Sequence, residues 1–530
     1  MLAVATFILF TLLVAYVSYR KTKGEALNTS DGYFLGGRSL GWFVIGGSLF
    51  LTNMSANNFI GENEQVYIDS VAVMAWGMTS ILSLIIVSEF ILPIYLRNGS
   101  VTTPDFLEDR FDPSIKKWIS IIFLVGYVIN MMPPVLYAGA VAFNGMFDLS
   151  GVFGLSNWAT IWILVWSIGI VGSIYAIFGG LKAIAVSDAI NGIGLVIGGL
   201  LVPFFGLLYI GDGSFSVGLD MILTQNTEHL NAIGKPDSPV PFSTLFTGML
   251  LVNLNYWGTE QYIMQRVLGA KNLAAGQKGI ALASVLKVIS PILLNIPGLI
   301  ALHIYFNIEN TAEIYPRLIG DVMPEYLTGF MAAIIFGAAL TTFNSGLNSS
   351  STLFMLNIYK PYLKHKNKEI ADVSLIKKSK YLQVFLAMTA MFIAPFIAFV
   401  DGGFFDYIQK VAGFFSVPIF TILFVGFITK KVPPIGAKVA LIFFITCYAL
   451  TQLIFDTGLH FLHIMAILFV TSTIIMLLFG KFYPMKVPYQ PIDKKLVDIR
   501  PWKYRHIVSF ILVLIVIAAY IFFSPLGVAS

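Results

Sequence analysis

The sequence is poor in the residues that build disulfides, metal clusters and soluble active sites. It contains one cysteine, Cys447, inside an apolar run, which excludes a disulfide framework and a cysteine-based metal cluster. The six histidines are scattered, and His460 and His463 share a helix end without further ligands nearby. The sequence shows neither a Walker loop nor a nucleophile–base constellation, so ATP hydrolysis and enzymatic activity are not expected.

Charge is equally sparse, and apolar residues take its place. Only 12% of the 530 residues are charged, 57% are hydrophobic, and the mean hydropathy is +0.82. This composition is typical of a multi-pass helical protein of the cell membrane. The first apolar run has no basic residues before it and is followed directly by Arg20 and Lys21. We therefore interpret it as a retained helix and not as a cleaved signal peptide.

Fourteen apolar runs are long enough to cross a bilayer, and we number them spans 1 to 14. The predicted spans are residues 2–19, 40–62, 71–96, 118–146, 157–178, 184–210, 242–265, 280–306, 327–359, 381–400, 404–428, 435–455, 460–480 and 506–523. The polar connections between them are too short for a separate soluble domain. We therefore predict a single transmembrane transporter domain over residues 1–530.

The basic residues predict the orientation of these spans. Nearly all of the 33 Lys and Arg residues lie in alternate connections, which the positive-inside rule assigns to the cytoplasm. The opposite connections contain only Lys235 and Arg317, while Lys287 and Lys410 lie within or at the edge of predicted spans. With an even number of spans, both termini are then predicted to lie outside.

Span 2 is interrupted by polar residues. Its apolar start leads into Thr52, Asn53, Ser55, Asn57 and Asn58, whose side chains compete for backbone hydrogen bonds and are poor helix formers. At membrane depth an interrupted helix is tolerated only where it faces protein or a water-filled cavity. We predict a broken helix that binds a ligand, and a soluble-facing loop or a polar packing seam is the alternative.

Span 7 carries a second interruption. Asn253, Asn255 and Glu260 are among the residues that break its apolar run, and Asn53 and Asn253 are predicted to occupy similar places. Because spans 2 and 7 are five apart, they enter the membrane from opposite sides. Two broken helices in this relation indicate an inverted-repeat transporter with its site at the membrane midplane.

Span 9 ends with a hydroxyl-rich stripe. Thr341, Thr342, Ser345, Asn348 and Ser349 recur at helical spacing. Such hydroxyls can join the carbonyls freed in a broken helix to bind a hard cation such as Na⁺. The alternative is a seam of small residues for close helix packing.

Four further residues are candidates because of their positions. Lys287 lies in the middle of span 8, where a lysine costs about 2.5–3.5 kcal/mol, so it should face the bundle interior and hold a partner. Asp188 lies near the start of span 6, where a solvated helix-end acid is the alternative. Tyr256 and Trp257 follow the span 7 break and could stack on a sugar ring or close a gate, or else pack in the core.

Together these segments resemble the sodium:solute symporter family, in particular bacterial members of its sodium/glucose cotransporter-like branch. The resemblance covers nearly the whole chain and rests on the span 2 break and five further segments. They are Y-F-L-G-G-R-S-L at 33–40, P-D-F-L-E-D-R-F at 104–111, G-G-L-K-A-I-A-V-S-D at 179–188, N-L-N-Y-W-G-T-E-Q-Y-I-M-Q-R at 253–266 and residues 341–359.

The resemblance implies an all-α, LeuT-like core of five plus five helices with discontinuous helices 2 and 7. The two inverted repeats would be residues of about 40–210 and 242–428, and the peripheral helices would be 2–19, 435–455, 460–480 and 506–523. The family's Na⁺ would bind the carbonyls of Leu51, Met54 and Ala338 and the hydroxyls of Thr341 and Thr342, with Asp188 below it on the sodium exit path. Solute ligands would be Asn58, Ser80, Asn253, Lys287 and Gln409, with Tyr256 as the inner gate and Glu62, Trp76 and Phe405 at outer-gate positions.

Two residues depart from the pattern of sugar transporters. Gly77 stands where a glutamate is usual, and Asn58 stands where a glutamine is known. Glu62 lies four residues after Asn58 on the same helix face, so it is a candidate for the missing carboxylate. The alternative is that Glu62, like Glu64, is a solvated acid at a helix end.

The sequence as a whole predicts a secondary active transporter that imports a sugar or polyol together with Na⁺. Its partners would be the solute, the ion and the lipid bilayer, with no nucleic acid. Symport of an organic acid, an amino acid or myo-inositol is the alternative, and a channel or a sensor is a more distant one.

Overall fold

The computed structural model describes residues 2–23, 29–306, 308, 310–399, 404–491 and 493–529. In this part of the chain the structure is helical, and its β contacts are two isolated bridges, Leu40 with Ala270 and Asn272 with Asp498. Helices satisfy their own backbone hydrogen bonds, as a chain in lipid requires. The all-α prediction is confirmed.

Ten helices in the described residues are long and apolar enough to cross a membrane. They are Leu2–Thr22, Val71–Asn98, Pro113–Phe147, Asn157–Ile174, Gly180–Ile210, Glu325–His365, Asp372–Phe399, Pro434–Leu453, Phe461–Phe482 and Arg505–Phe522, and they coincide with spans 1, 3 to 6, 9, 10 and 12 to 14. Leu273–Val288 and Ser290–Ile304, bent by 47°, form an eleventh that corresponds to span 8. The count of fourteen and the outside termini stay predictions.

The other predicted spans are pairs of short helices. Span 2 is Trp42–Asn53 and Ala56–Ile68, span 7 is Gly248–Gly258 and Gln261–Leu268, and span 11 is Phe404–Ala412 and Val417–Ile428. The connections include the short helices Ser30–Leu35, Asp105–Arg110, Leu149–Phe153, Phe215–Thr224 and Ile314–Val322. Span 4 begins five residues before its predicted start because Asp112 caps it, accepting a hydrogen bond from the Ile115 N–H, and Pro113 occupies its first turn.

The predicted breaks in spans 2 and 7 are confirmed. In span 2 the chain leaves helical geometry at Met54, with ψ of 67°, and at Ser55, with ψ of 168°. In span 7 it leaves at Thr259 and at Glu260, whose ψ is 123°. The equivalence of Asn53 with Asn253 is wrong, because Asn53 directly precedes its break whereas Asn253 lies more than one helical turn before its own.

Close helix packing holds the broken spans in the middle of the molecule. The first half of span 2 packs against spans 6 and 8, and span 9 packs against spans 1, 5 and 6. At Gly46 an added β-carbon would lie 2.8 Å from the Gly279 carbonyl oxygen, so only glycine permits this approach of spans 2 and 8. Gly180, with φ of 62°, separates spans 5 and 6. The polar breaks therefore lie inside an apolar bundle.

Candidate functional site

A cavity of about 190 Å³ lies where the two broken helices meet, and we call it the central cavity. Residues of spans 2, 3, 4, 7, 8, 9 and 11 line it. All seven residues predicted to bind solute are among its lining residues: Asn58, Glu62, Ser80, Asn253, Tyr256, Lys287 and Gln409. Residues far apart in the sequence thus meet in one site.

The polar groups of the central cavity are linked in pairs. Ser80 Oγ lies 2.7 Å from Asn253 Oδ1 and 2.7 Å from the Trp76 carbonyl oxygen. On the other side, Lys287 Nζ donates to Asn53 Oδ1 at 2.7 Å. These contacts orient the amides of spans 2 and 7, the hydroxyl of span 3 and the ammonium of span 8 before any ligand arrives.

Glu62 and Glu64 are both buried, so their interpretation as solvated helix-end acids is wrong. Glu62 is 2% exposed, accepts a hydrogen bond from Asn58 Nδ2 at 3.0 Å and interacts electrostatically with Lys287. Glu64 is 3% exposed and accepts a hydrogen bond from Thr311 Oγ1 at 2.6 Å, outside the lining of the central cavity. Glu62 is therefore a cavity residue, and Glu64 is a buried acid with a different environment.

Gly77 lies beside the same lysine. A β-carbon at this position would be 3.9 Å from Lys287 Nζ but only 2.8 Å from Ser290 Oγ. A glutamate introduced here would therefore have to displace Ser290 before its carboxylate could approach Lys287. The position that lacks the usual glutamate therefore has a closely packed neighbour, Ser290.

The break of span 2 frees backbone carbonyls. The Ser55 N–H would bond the Leu51 carbonyl in a continued helix, but it donates to the Asn53 carbonyl at 2.9 Å. The Asn58 N–H would bond the Met54 carbonyl, but it donates to the Ser55 carbonyl at 3.1 Å. The two carbonyls released in this way, those of Leu51 and Met54, are the two that the resemblance assigns to Na⁺.

Span 9 brings hydroxyls to this break. Thr342 Oγ1 lies 3.2 Å from the Ala338 carbonyl oxygen and 3.4 Å from the Thr52 carbonyl oxygen. The Thr52 side-chain hydroxyl is buried without a hydrogen-bond partner among the described residues. Neutral carbonyl and hydroxyl oxygens are the donors that hard cations prefer, so this oxygen-rich junction fits a cation such as Na⁺.

Asp188 lies next to this junction and forms a buried ion pair with Arg266. Its Oδ2 accepts hydrogen bonds from Ser48 Oγ at 2.7 Å and from Arg266 Nη2 at 3.2 Å, and it also interacts with Thr341. Both side chains of the ion pair are 1% exposed. The alternative of a solvated acid at Asp188 is therefore wrong. Arg266 also contacts Ser345 of the span 9 stripe.

One predicted gate residue, Trp257, does not join the site. Trp257 is 1% exposed, packs edge-on against Tyr256 and is not among the residues that line the central cavity, so its prediction as a gate is corrected. It points into the core because successive residues of a helix face different directions. The Phe405 side chain lies outside the described part of the structure. Trp76 and Tyr256 both line the cavity.

Sequence analysis missed the contribution of span 4 and the role of Glu260. Tyr127 and Asn130 line the central cavity from a π-helical turn, Tyr127–Met131. Pro133 and Pro134 follow after Met132 and supply no N–H groups to this turn, which is the signal that could have revealed it. Glu260, noted only as part of a break, also lines the cavity.

Comparison with known proteins agrees with this architecture. A model of the sodium:solute symporter family matches residues 33–443. The chain is 40% identical over 526 residues to the uncharacterized symporter YidK of Escherichia coli (strain K12), covering 99% of this chain and 92% of that protein. It is 30% identical over 447 residues to the sodium/glucose cotransporter of Vibrio parahaemolyticus, covering 80% and 79% of the two chains.

A solved structure shows the same fold. The substrate-bound outward-open state of a Na⁺-coupled sialic acid symporter superimposes with a TM-score of 0.79 and 20% identity, covering 93% of this chain and 99% of that chain. The fold is therefore the LeuT-like transporter fold, and the family's members are transporters and not enzymes. The chain belongs to the sodium:solute symporter family and is a Na⁺-coupled solute symporter of the plasma membrane.

Proposed function

We propose that the protein imports a neutral polyhydroxylated solute, a sugar or a polyol, together with Na⁺ by alternating access. The observation that carries the proposal is the lining of the central cavity, in which amide and hydroxyl side chains outnumber charged ones. Because Glu62 is a countercharge for Lys287, the lysine is not free to select an anionic solute. Neutral groups then supply most of the contacts to the solute.

Those neutral groups suit hydroxyls. The amides of Asn58, Asn253 and Gln409 and the hydroxyl of Ser80 can both donate and accept hydrogen bonds, as sugar hydroxyls can. Further polar atoms in the cavity wall are buried without a hydrogen-bond partner in the described structure: Thr52 Oγ1, Asn57 Oδ1, Asn130 Oδ1 and Ser416 Oγ. Buried polar groups are normally paired, so these atoms are available to a solute or to ordered water. The rings of Tyr256 and Trp76 supply flat surfaces for stacking and for gating.

The Na⁺ site proposed for this chain comprises the carbonyls of Leu51, Met54 and Ala338 and the hydroxyls of Thr341 and Thr342, with Asp188 on the exit path. Adjacent residues of the span 2 break then connect ion and solute. The Thr52 carbonyl contacts Thr342, while the Asn53 side chain contacts Lys287 in the central cavity. Ordering of this break by Na⁺ would therefore order the solute site as well.

The energy for uptake comes with the ion. Each cation that moves inward down the membrane potential releases about 2.3 kcal/mol per 100 mV, before its concentration gradient is counted. Because Na⁺ and solute share the span 2 break, Na⁺ needs only to stabilise the arrangement that receives solute from outside. Net import follows when both are released inside.

Uptake into proteoliposomes tests this function. We expect an inward Na⁺ gradient to accelerate accumulation of radiolabelled D-galactose, D-glucose or myo-inositol, whereas an equal K⁺ gradient does not. A negative interior potential should increase the rate further. Na⁺-independent uptake, or no uptake of any neutral polyol, contradicts the proposal.

Lys287 favours one alternative, an organic acid as the solute. Its ammonium lines the central cavity and could pair with a carboxylate if Glu62 moved away. D-Gluconate separates the two possibilities, because it has a hydroxyl chain like that of glucose and adds a carboxylate. Na⁺-driven uptake of gluconate in preference to glucose would support the acid.

A further inference from the structure

Glu260 is an acid of the central cavity that is bound by neutral groups. Its Oε2 accepts a hydrogen bond from the Tyr127 hydroxyl at 2.8 Å, and its Oε1 accepts one from Asn255 Nδ2 at 3.2 Å. The Tyr127 hydroxyl in turn accepts a hydrogen bond from the Gln261 N–H at 3.0 Å. Spans 4 and 7 thus hold the carboxylate in one position at the break of span 7.

The other membrane-embedded acids near this site are matched by cations. Glu62 interacts with Lys287, and Asp188 forms its ion pair with Arg266. For Glu260 the hydrogen-bond partners in the described structure are Tyr127 and Asn255, both neutral. Acids at membrane depth are costly and are usually retained for a function.

The carboxylate also has unused acceptor capacity. An ionised carboxylate offers about four acceptor positions, of which the two protein donors occupy two. Glu260 lines the same cavity as Ser80 and Asn253.

We propose that Glu260 is a solute-binding residue whose carboxylate accepts hydrogen bonds from two neighbouring hydroxyls of the transported sugar or polyol. This inference rests on the proposed function and identifies the anionic acceptor that Gly77 does not supply. A charge-assisted hydrogen bond is about twice as strong as a neutral one, so one carboxylate can decide between hydroxyl patterns. Tyr127 acts as a positioning residue, because its hydroxyl sets the direction of the carboxylate.

The test is calorimetric binding to the purified full-length protein at saturating Na⁺, with D-galactose, D-glucose, myo-inositol and D-gluconate as probes. The variants are Glu260→Gln, Tyr127→Phe and the control Glu64→Gln, which neutralises a buried acid outside the cavity lining. We expect Glu260→Gln to weaken binding of the neutral polyol at least tenfold, Tyr127→Phe to weaken it about threefold, and Glu64→Gln to change it less than twofold.

Monodeoxy analogues of the bound polyol distinguish binding from a structural role. In the wild type, removal of either of two adjacent hydroxyls should cost at least fivefold, whereas Glu260→Gln should lose less than twofold for the same removals. A merely structural residue would weaken all analogues equally. Stabilisation of Glu260→Gln by Na⁺ alone in thermal unfolding shows that the fold and the cation site are intact.

The outcomes separate this inference from the proposed function. If Glu260→Gln binds neutral polyols like the wild type, or loses stabilisation by Na⁺, the inference is overturned and neutral-polyol transport stands. If the wild type binds gluconate and no neutral polyol, the proposed function fails and the inference fails with it. If Glu260→Gln does not fold, the analogue profile of Tyr127→Phe decides, and an unchanged profile refutes the role of Glu260.

Discussion

The substitution Thr342→Val tests the proposed cation site most directly. Valine keeps the β-branched shape and the helical rotamer preference of threonine but lacks the hydroxyl that approaches the span 2 break. In the wild type this hydroxyl shares its one hydrogen between two long contacts, 3.2 Å to the Ala338 carbonyl and 3.4 Å to the Thr52 carbonyl. Removing them should therefore lower the free energy of unfolding by no more than roughly 0.5–1.5 kcal/mol.

The effect on Na⁺ should be larger than the effect on the fold. A hydrogen bond to a charged group contributes about 1.5–3 kcal/mol, and we take this as the scale for the removal of one cation ligand. At 1.4 kcal/mol per factor of ten, the Na⁺ concentration for half-maximal uptake should rise roughly 10- to 150-fold. Initial rates of solute uptake into proteoliposomes, measured against external Na⁺ with choline as replacement, give this value.

Thr328→Val is the matched control. Thr328 is buried in the same helix, and its hydroxyl makes two similarly long contacts, 3.3 Å to the Pro324 carbonyl and 3.5 Å to the Met323 carbonyl. It lies far from the span 2 break, so its Na⁺ dependence should equal that of the wild type. Full activation of Thr342→Val at an unchanged Na⁺ concentration would refute the assignment of Thr342 to the cation site.

Three further substitutions test the solute site and the ion pair beneath the cation site. Gln409→Ala should weaken solute binding by roughly 1–3 kcal/mol, the value of a buried hydrogen bond, and equal affinities in calorimetry would assign Gln409 a structural role. Glu62→Gln leaves Lys287 without its countercharge, so affinity for D-glucose should fall and affinity for D-gluconate should rise; an unchanged ratio of the two would contradict the charge pairing. Asp188→Asn leaves a buried guanidinium unpaired and should lower the free energy of unfolding by about 3–5 kcal/mol. Asp188→Asn combined with Arg266→Met should recover part of that stability in denaturant titrations, and no recovery would contradict the ion pair as its cause.

Helix breaks were predictable from the sequence, but their exact positions were not. Clusters of Asn, Ser and Thr in an apolar run disfavour a continuous helix whatever surrounds them, so the breaks in spans 2 and 7 followed from residue type. The register within each break depends on which backbone groups find partners in the folded bundle. That is why Asn53 and Asn253, although both are asparagines in interrupted spans, do not occupy equivalent structural positions.

The burial of three acidic residues could likewise not be inferred from the local sequence. Glu62, Glu64 and Asp188 stand near predicted helix ends, where solvated carboxylates are common. In the structure each is almost fully buried and has a partner from a distant segment of the chain. Lys287 and Arg266 supply charge, and Thr311 supplies a hydroxyl.

The sequence by itself determined the all-α membrane class, most of the spans, the two discontinuous helices and seven of the residues that line the central cavity. These follow from hydrophobicity, residue propensities and family motifs, which are properties of short segments. Only the tertiary structure decided that Trp257 faces the core, that Arg266 is paired with Asp188 and that Tyr127 holds Glu260 at the cavity wall. Such facts depend on contacts between residues far apart in the chain, and packing alone brings those residues together.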